Sequence, residues 1–328
     1  MSWPGLDWVL ALQRWSPALD GGMRGLSFLG DELFFSAFIP VLYWCVDTTL
    51  GLRVTALLLS STFVNGLVKW IVHAPRPFWI DPQVKALSLE SGYGLPSGHA
   101  QNAVAVWPTF ARAAGAPWVM VAALLLIFGI SISRVYLGVH FPQDVLGGWV
   151  IGAIVVAVYG RVEPAAARWL VARPLAVQIL IAVGVSMLVF VIAVGARATI
   201  RGVSDPPVWA DQATTGRTQE EARRAYDPRS LSGTMVEVGT VLGAGIGLAL
   251  MRRFARFRAG GMWWRRAARL AVGLVIVAIL RFGLGEVLPR EPALVGLVST
   301  CLRYSLVALG VVWLAPWLFI KTGLAERA

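Results

Sequence analysis

Charge is scarce in this sequence. Asp, Glu, Lys and Arg make up 14% of its 328 residues, where a soluble domain would carry roughly a quarter. Acidic residues are fewer still, 18 against 29 Lys and Arg. Cysteine is nearly absent. Cys45 and Cys301 both sit in or at the end of apolar runs, which is no disulfide framework and leaves the redox compartment undetermined. Short segments of alternating polarity are missing, and with them the signature of a membrane β-barrel. No cluster has the spacing of a metal site, so no metal and no cofactor is expected. No repeat or low-complexity stretch occurs. The N-terminal MSWPGLDWVLALQRWSPALD lacks the basic region of a cleavable signal.

What remains is hydrophobic: 57% of residues and a mean hydropathy of +0.68. The apolar residues recur in runs long enough to cross a bilayer core, about 20 residues each. The reading is an all-α, polytopic transmembrane helical bundle. Its nine candidate spans lie at 27–46, 51–72, 97–114, 118–137, 143–162, 174–197, 233–252, 268–288 and 294–319. Four segments are expected: an interfacial segment 1–26 marked by Trp3, Trp8 and Trp15, a core 27–197, a polar loop 198–232, and a three-helix extension 233–328.

The net charge of +11 does not point to nucleic acid, because the arginines lie between spans. The connection after the seventh span and its flanks hold Arg252, Arg253, Arg256, Arg258, Arg265, Arg266 and Arg269 with no acidic residue. The 198–232 loop balances its arginines with Asp205, Asp211, Glu220, Glu221 and Asp227. The positive-inside rule makes the first side cytoplasmic. It places the 73–96 connection and the link between spans four and five outside.

Those outward segments hold most of the chemistry. Lys69 and Arg76 end the second span at a seven-residue spacing compatible with one helical face, with Pro75 and Pro77 breaking the helix around Arg76. Pro96-Ser97-Gly98-His99 opens the third span, with Ser97 fitting an N-cap and Gly98 admitting a ligand to the backbone. A helix N-terminus is an anion site in its own right. Ser133 and Arg134 end the fourth span, and His140 and Asp144 follow at i, i+4, where an aspartate can hold one imidazole nitrogen and leave the other free. Singly, each has a bland reading: snorkelling cations, a capped helix start, a structural His–Asp pair. Together they supply what is needed to hold a phosphoryl group, attack it and protonate the leaving oxygen. Which histidine attacks is left open by spacing alone. His73 is read as interfacial.

The set resembles the type 2 phosphatidic acid phosphatase superfamily, also called lipid phosphate phosphatases. Its signature has three parts: Lys, six residues, Arg-Pro; then Pro-Ser-Gly-His; then Ser-Arg, five residues, His, three residues, Asp. Lys69, Arg76 and Pro77, then Pro96 to His99, then Ser133, Arg134, His140 and Asp144 match every position. The resemblance implies that His140 attacks phosphorus and forms a phosphohistidine. It implies that Asp144 orients His140, and that His99 protonates the leaving oxygen and then activates water. It assigns Lys69, Arg76, Ser97, Gly98 and Arg134 to the phosphate oxygens, without a metal. The nine-span layout is similar to glucose-6-phosphatases. The expected activity is a membrane phosphatase of a lipid-linked phosphate or diphosphate among membrane lipids. The alternatives are an enzyme for a small soluble ester and a transporter with an idle phosphate site. The extension matches no signature, and its Glu237, Arg281, Glu286 and Arg303 imply ion pairing, a polar cavity or bundle glue.

Overall fold

The computed structural model describes residues 3–289 and 293–328. In chain order the helices are α1 (Leu6–Gln13), α2 (Asp20–Phe28), α3 (Glu32–Val41), α4 (Thr48–Val72), α5 (Pro77–Ile80), α6 (Gly98–Ala114), α7 (Pro117–Tyr136) and α8 (Pro142–Val171). They continue with α9 (Leu175–Thr199), α10 (Pro207–Thr214), α11 (Gln219–Ala225), α12 (Ser232–Phe254), α13 (Trp263–Ala278), α14 (Leu284–Val287), α15 (Ala293–Leu309) and α16 (Ala315–Lys321). Single π-helical turns over Leu42–Val46, Ile279–Gly283 and Gly310–Leu314 extend α3, join α13 to α14 and join α15 to α16. Helices dominate because lipid offers backbone groups no partner, so each segment must satisfy its own. Their ends follow the residues. Pro117 and Pro142 open α7 and α8, the Asp47 carboxylate accepts the Leu50 N–H at 2.6 Å to start α4, and Gly115 closes α6 at φ 72°.

Seven stretches are long and apolar enough to cross a membrane: Thr48–Ile80, Pro117–Tyr136, Pro142–Val171, Leu175–Thr199, Ser232–Phe254, Trp263–Val287 and Ala293–Lys321. The pair α2–α3 raises this to eight if its two arms, bent by 50°, count as one. The chain is an integral membrane protein. Two of the nine expected spans differ. The stretch 27–46 is broken after α2, and Asp31 accepts the Leu33 N–H at 2.8 Å to begin α3 afresh. The stretch 97–114 is α6, at 17 residues short of the usual crossing length of about 20.

The chain forms two compact units. One comprises the described part of Met1–Phe35 with Ser60–Val158 and Gly195–Ser230; the other comprises Ser36–Leu59, Tyr159–Val194 and Leu231–Ala328. The second unit is built on α12 packed along α15. A Cβ on Gly243 would overlap the Ser305 carbonyl oxygen, and one on Gly239 the carbonyl of Cys301. Backbone would have to move, so Gly243→Leu should destabilise this unit by about 1–3 kcal/mol or more. An unchanged melting temperature of the detergent-purified variant would contradict that packing. The unit's core gathers Tyr43, Trp44, Phe257, Ala315 and Phe319, with Tyr43 and Trp44 donating to the Val312 and Val311 carbonyls at 2.9 and 3.0 Å. Arg281 and Arg303 both stack on Tyr304, at 5.4 and 5.2 Å from its centroid, a cation–π use of intramembrane charge.

The first unit holds all three motifs. Its residues 198–230 wrap onto the end of α4 and the segment after it. Trp70 and Trp79 donate to the carbonyls of Pro228 and Ala225 at 3.1 and 3.0 Å, and the Trp79 ring lies 4.8 Å from that of Tyr226. Asp205 accepts from Tyr93 at 3.0 Å and from Tyr226 at 3.3 Å, and pairs with Arg229 at 3.2 Å. One acidic residue of the polar, charge-balanced loop is thus the hub of a clasp.

Candidate active site

The first motif is assembled by a turn. α4 ends at Val72, four residues before Arg76, and Arg76 is extended (φ −93°, ψ 156°). The expected common helical face for Lys69 and Arg76 is therefore wrong: Pro75 and Pro77 end the helix early. The Arg76 guanidinium is fully buried. It donates through Nε to Gly92 O at 2.6 Å and through Nη1 to Val139 O at 2.8 Å. Nη1 also faces His140 Nε2 at 3.2 Å.

That last contact decides the imidazole tautomer. A guanidinium only donates, so His140 Nε2 carries the lone pair and Nδ1 carries the proton. Nδ1 faces Asp144 Oδ2 at 3.3 Å, and the same oxygen accepts the Phe141 N–H at 2.9 Å. His140 precedes α8, so the pair does not share a helical face as the spacing implied. Asp144 in the first turn of α8 reaches back over the helix start. His140 is held well below the ordinary imidazole value, first by burial and then by Arg76, Arg134, Lys69 and His99 nearby. Both effects favour a neutral imidazole, whose Nε2 lone pair faces Arg76.

Arg134, from the last turn of α7, is 1% exposed. Its Nη1 donates to Ser27 Oγ at 2.5 Å and its Nη2 to Glu90 Oε1. The other Glu90 oxygen stands 3.8 Å from Arg76 Nη2. Burial pushes the Glu90 carboxyl toward protonation, but Arg134 and Arg76, with His99 and Lys69, outweigh it and hold the group below the usual carboxylate range. Ser97 occupies the N-cap position of α6, but its hydroxyl makes no cap bond. Instead Ser97 Oγ, Arg76 Nη2, Arg134 Nε and His99 Nε2 are all buried without a hydrogen-bond partner. His99 Nε2 faces Asp31 at 3.8 Å.

The surrounding residues were not visible as motifs. Asn65 on α4 donates to Pro96 O at 3.2 Å and Gln101 Oε1 at 2.9 Å, and Gln101 donates to Ser61 O at 2.6 Å, which pins the Pro-Ser-Gly-His turn. The Ser97 N–H donates to Asp144 O at 2.9 Å, and a Cβ on Gly148 would come 2.7 Å from Ser97 O, so α8 lies close against the start of α6. Gln13 donates to Lys85 O and Tyr136 O at 2.8 and 2.9 Å, tying α1 to the loop that bears Glu90. His73 packs its ring on Tyr93, with centroids 5.2 Å apart. No three His, Cys, Asp or Glu side chains are grouped to hold a metal among the described residues.

Residues 50–168 match the PAP2 superfamily, and residues 235–327 match a segment described as PAP2 superfamily phosphatase, transmembrane extension. Phosphatidylglycerophosphatase B of Bacillus subtilis (strain 168) is 31% identical over 160 residues, 44% of this chain and 74% of that protein. The chain belongs to the PAP2 superfamily. Mouse glucose-6-phosphatase 3 is 31% identical over 174 residues, covering 45% of this chain and 50% of that one. Lipid phosphate phosphatase delta of Arabidopsis thaliana is 27% identical over 173 residues, covering 47% and 41%. The crystal structure of a transmembrane PAP2-type phosphatidylglycerolphosphate phosphatase from Bacillus subtilis covers 48% of this chain and 86% of its own, at 26% identity and a TM-score of 0.41. This chain spans about half the length of the glucose-6-phosphatase 3 proteins it matches. The PAP2 match contains every residue of the three motifs, and the extension match falls on α12–α16.

Proposed function

We propose that this PAP2 chain hydrolyses a lipid-linked phosphate or diphosphate monoester, without a metal, on the extracytoplasmic side of its membrane. One observation carries the reading. Around a neutral histidine with its lone pair on Nε2, four buried polar atoms from the motif residues Arg76, Ser97, His99 and Arg134 lack partners. Buried polar atoms without partners are costly, and a tetrahedral oxyanion would satisfy them together.

In the reaction, Lys69, Arg76, Arg134, Ser97 and the Gly98 N–H hold the phosphoryl oxygens. His140 Nε2 attacks phosphorus and forms the P–N bond as the P–O bond to the lipid breaks. His99, protonated as the phosphate brings its negative charge in beside it, gives that proton to the leaving oxygen. Asp144 keeps the Nδ1 proton in place and balances the charge that grows on the ring. Water then attacks the phosphohistidine, His99 takes its proton, the P–N bond breaks and phosphate leaves. The protein thus acts mainly by positioning and by charge stabilisation.

The lipid substrate is supported by the coverage of phosphatidylglycerophosphatase B, 74% of that protein. The similarity to glucose-6-phosphatase 3 favours a second reading, a small soluble ester. The outward side follows from the arginine-rich connection between α12 and α13, which the positive-inside rule makes cytoplasmic. It puts the balanced 198–232 loop outside and the C-terminus in the cytoplasm. We propose 233–328 as the membrane extension to the phosphatase core. The test is phosphate release by purified protein from phosphatidate, phosphatidylglycerol phosphate, a polyprenyl diphosphate and sugar phosphates. Long-chain lipids should be turned over and sugar phosphates left. Equal turnover of both favours the soluble-ester reading, and no release from any refutes hydrolysis.

A further inference from the structure

Glu90 belongs to no motif, yet it lies at the phosphate site proposed above. One of its carboxylate oxygens accepts from Arg134 Nη2, and the other faces Arg76 Nη2 at 3.8 Å. Bridging two guanidiniums with two oxygens is how a phosphate would bind there. As a permanent structural bridge it is incomplete. Arg76 Nη2 is beyond hydrogen-bond distance, and Arg134 Nε, Ser97 Oγ and His99 Nε2 remain without partners. Glu90 is also the least enclosed member of the group, with its side chain 31% exposed, on a segment between α5 and α6 without helix.

We propose that Glu90 is a specificity-determining residue: a tethered carboxylate resting in the phosphate site that sets the charge a ligand needs to enter. A phosphodiester brings one negative charge. It must displace a group of equal charge that is already held at the site, and tethering favours the carboxylate. A phosphomonoester brings a charge of about −2 and gains Coulomb energy in the exchange. A membrane enzyme is surrounded by phosphodiester headgroups, and Glu90 keeps them out of a site built from three cations. The inference rests on the phosphate-site reading of Lys69, Arg76 and Arg134.

The test uses a matched pair of non-hydrolysable ligands, hexylphosphonate and its monomethyl ester, at a pH where the phosphonate is doubly ionised. Apparent Kd values come from their protection of the detergent-purified full chain against thermal unfolding. Wild type should bind the dianion about tenfold or more tighter than the monoanion. Glu90→Gln should shrink that ratio by about tenfold, through tighter monoanion binding. Glu90→Asp, which keeps the charge, should hold the wild-type ratio. An unchanged ratio in Glu90→Gln, or parallel weakening of both ligands, overturns the proposal. Glu90→Ala carries the same expectation as glutamine and stands in if that variant does not fold. Loss of the fold in both makes the carboxylate structural and overturns it as well. The assay needs no turnover. A wild type that binds neither ligand refutes the phosphate site itself, and one that binds both with a Glu90-independent ratio refutes only this inference.

Discussion

His140→Ala should abolish phosphate release, by about 10⁴-fold or more, the scale seen when a covalent nucleophile is removed. The prediction follows from hydrogen-bond chemistry. Arg76 Nη1 can only donate to His140 Nε2, so that nitrogen must bear a lone pair, and Asp144 fixes the proton on the other nitrogen. Burial and the surrounding cations keep the ring neutral, so the lone pair is available through the physiological range. The fold should survive, because Asp144 retains the Phe141 N–H and Arg76 retains its carbonyl acceptors Gly92 and Val139. Two measurements check it: steady-state release, and trapping of labelled phosphate on the protein by acid-free quenching. Wild type should show an alkali-stable, acid-labile phosphoprotein that the variant lacks. Near-normal turnover by the variant would remove His140 from the mechanism.

The second large effect depends on the substrate. His99→Ala should cost about 10²–10⁴-fold on alkyl phosphates, the usual worth of a general acid, and far less on p-nitrophenyl phosphate, whose leaving group needs no proton. With that activated ester the first step should survive while hydrolysis of the phosphohistidine slows, since the same imidazole is to activate water. The variant should then release p-nitrophenol in a burst followed by a slow steady state. The basis is that His99 Nε2 is buried without a hydrogen bond beside the phosphate-site cations, where the charge of an incoming phosphate would favour its protonated form. A uniform loss across leaving groups, with no burst, would argue for a role in binding.

Most of the site was legible because its parts are compact in sequence. Lys69 to Pro77, Pro96 to His99 and Ser133 to Asp144 each announce themselves within a dozen residues. The apolar runs around them place each at a helix end. The details that failed were geometric. Seven-residue spacing implied one face for Lys69 and Arg76, but Pro75 stops α4 first. Ser97 looked like a cap, and its backbone is one, yet its hydroxyl is left for another partner. Glu90 stayed hidden because it lies in an irregular segment, where no periodicity assigns a direction to a side chain. Tyr93 and Asp205 meet across 112 residues of sequence, and Gln13 and Tyr136 across 123. No local pattern encodes such pairs. The broken span at α2–α3 was missed because hydropathy averages over the bend that Asp31 starts.

The clasp made by Asp205, Tyr226 and Arg229 has a consequence for how the protein is made. By the time the ribosome has added residue 168, every motif has been synthesised and the PAP2 match is complete. Gly92, whose carbonyl holds Arg76, then still lacks the anchor for its neighbour Tyr93, which arrives more than thirty residues later with Asp205. A nascent chain would therefore carry a full set of reactive groups that is not yet set in place. Competence would come only as the segment ending near Ser230 follows α9 out of the translocon. The polar stretch between the two matched regions thereby times the completion of the site.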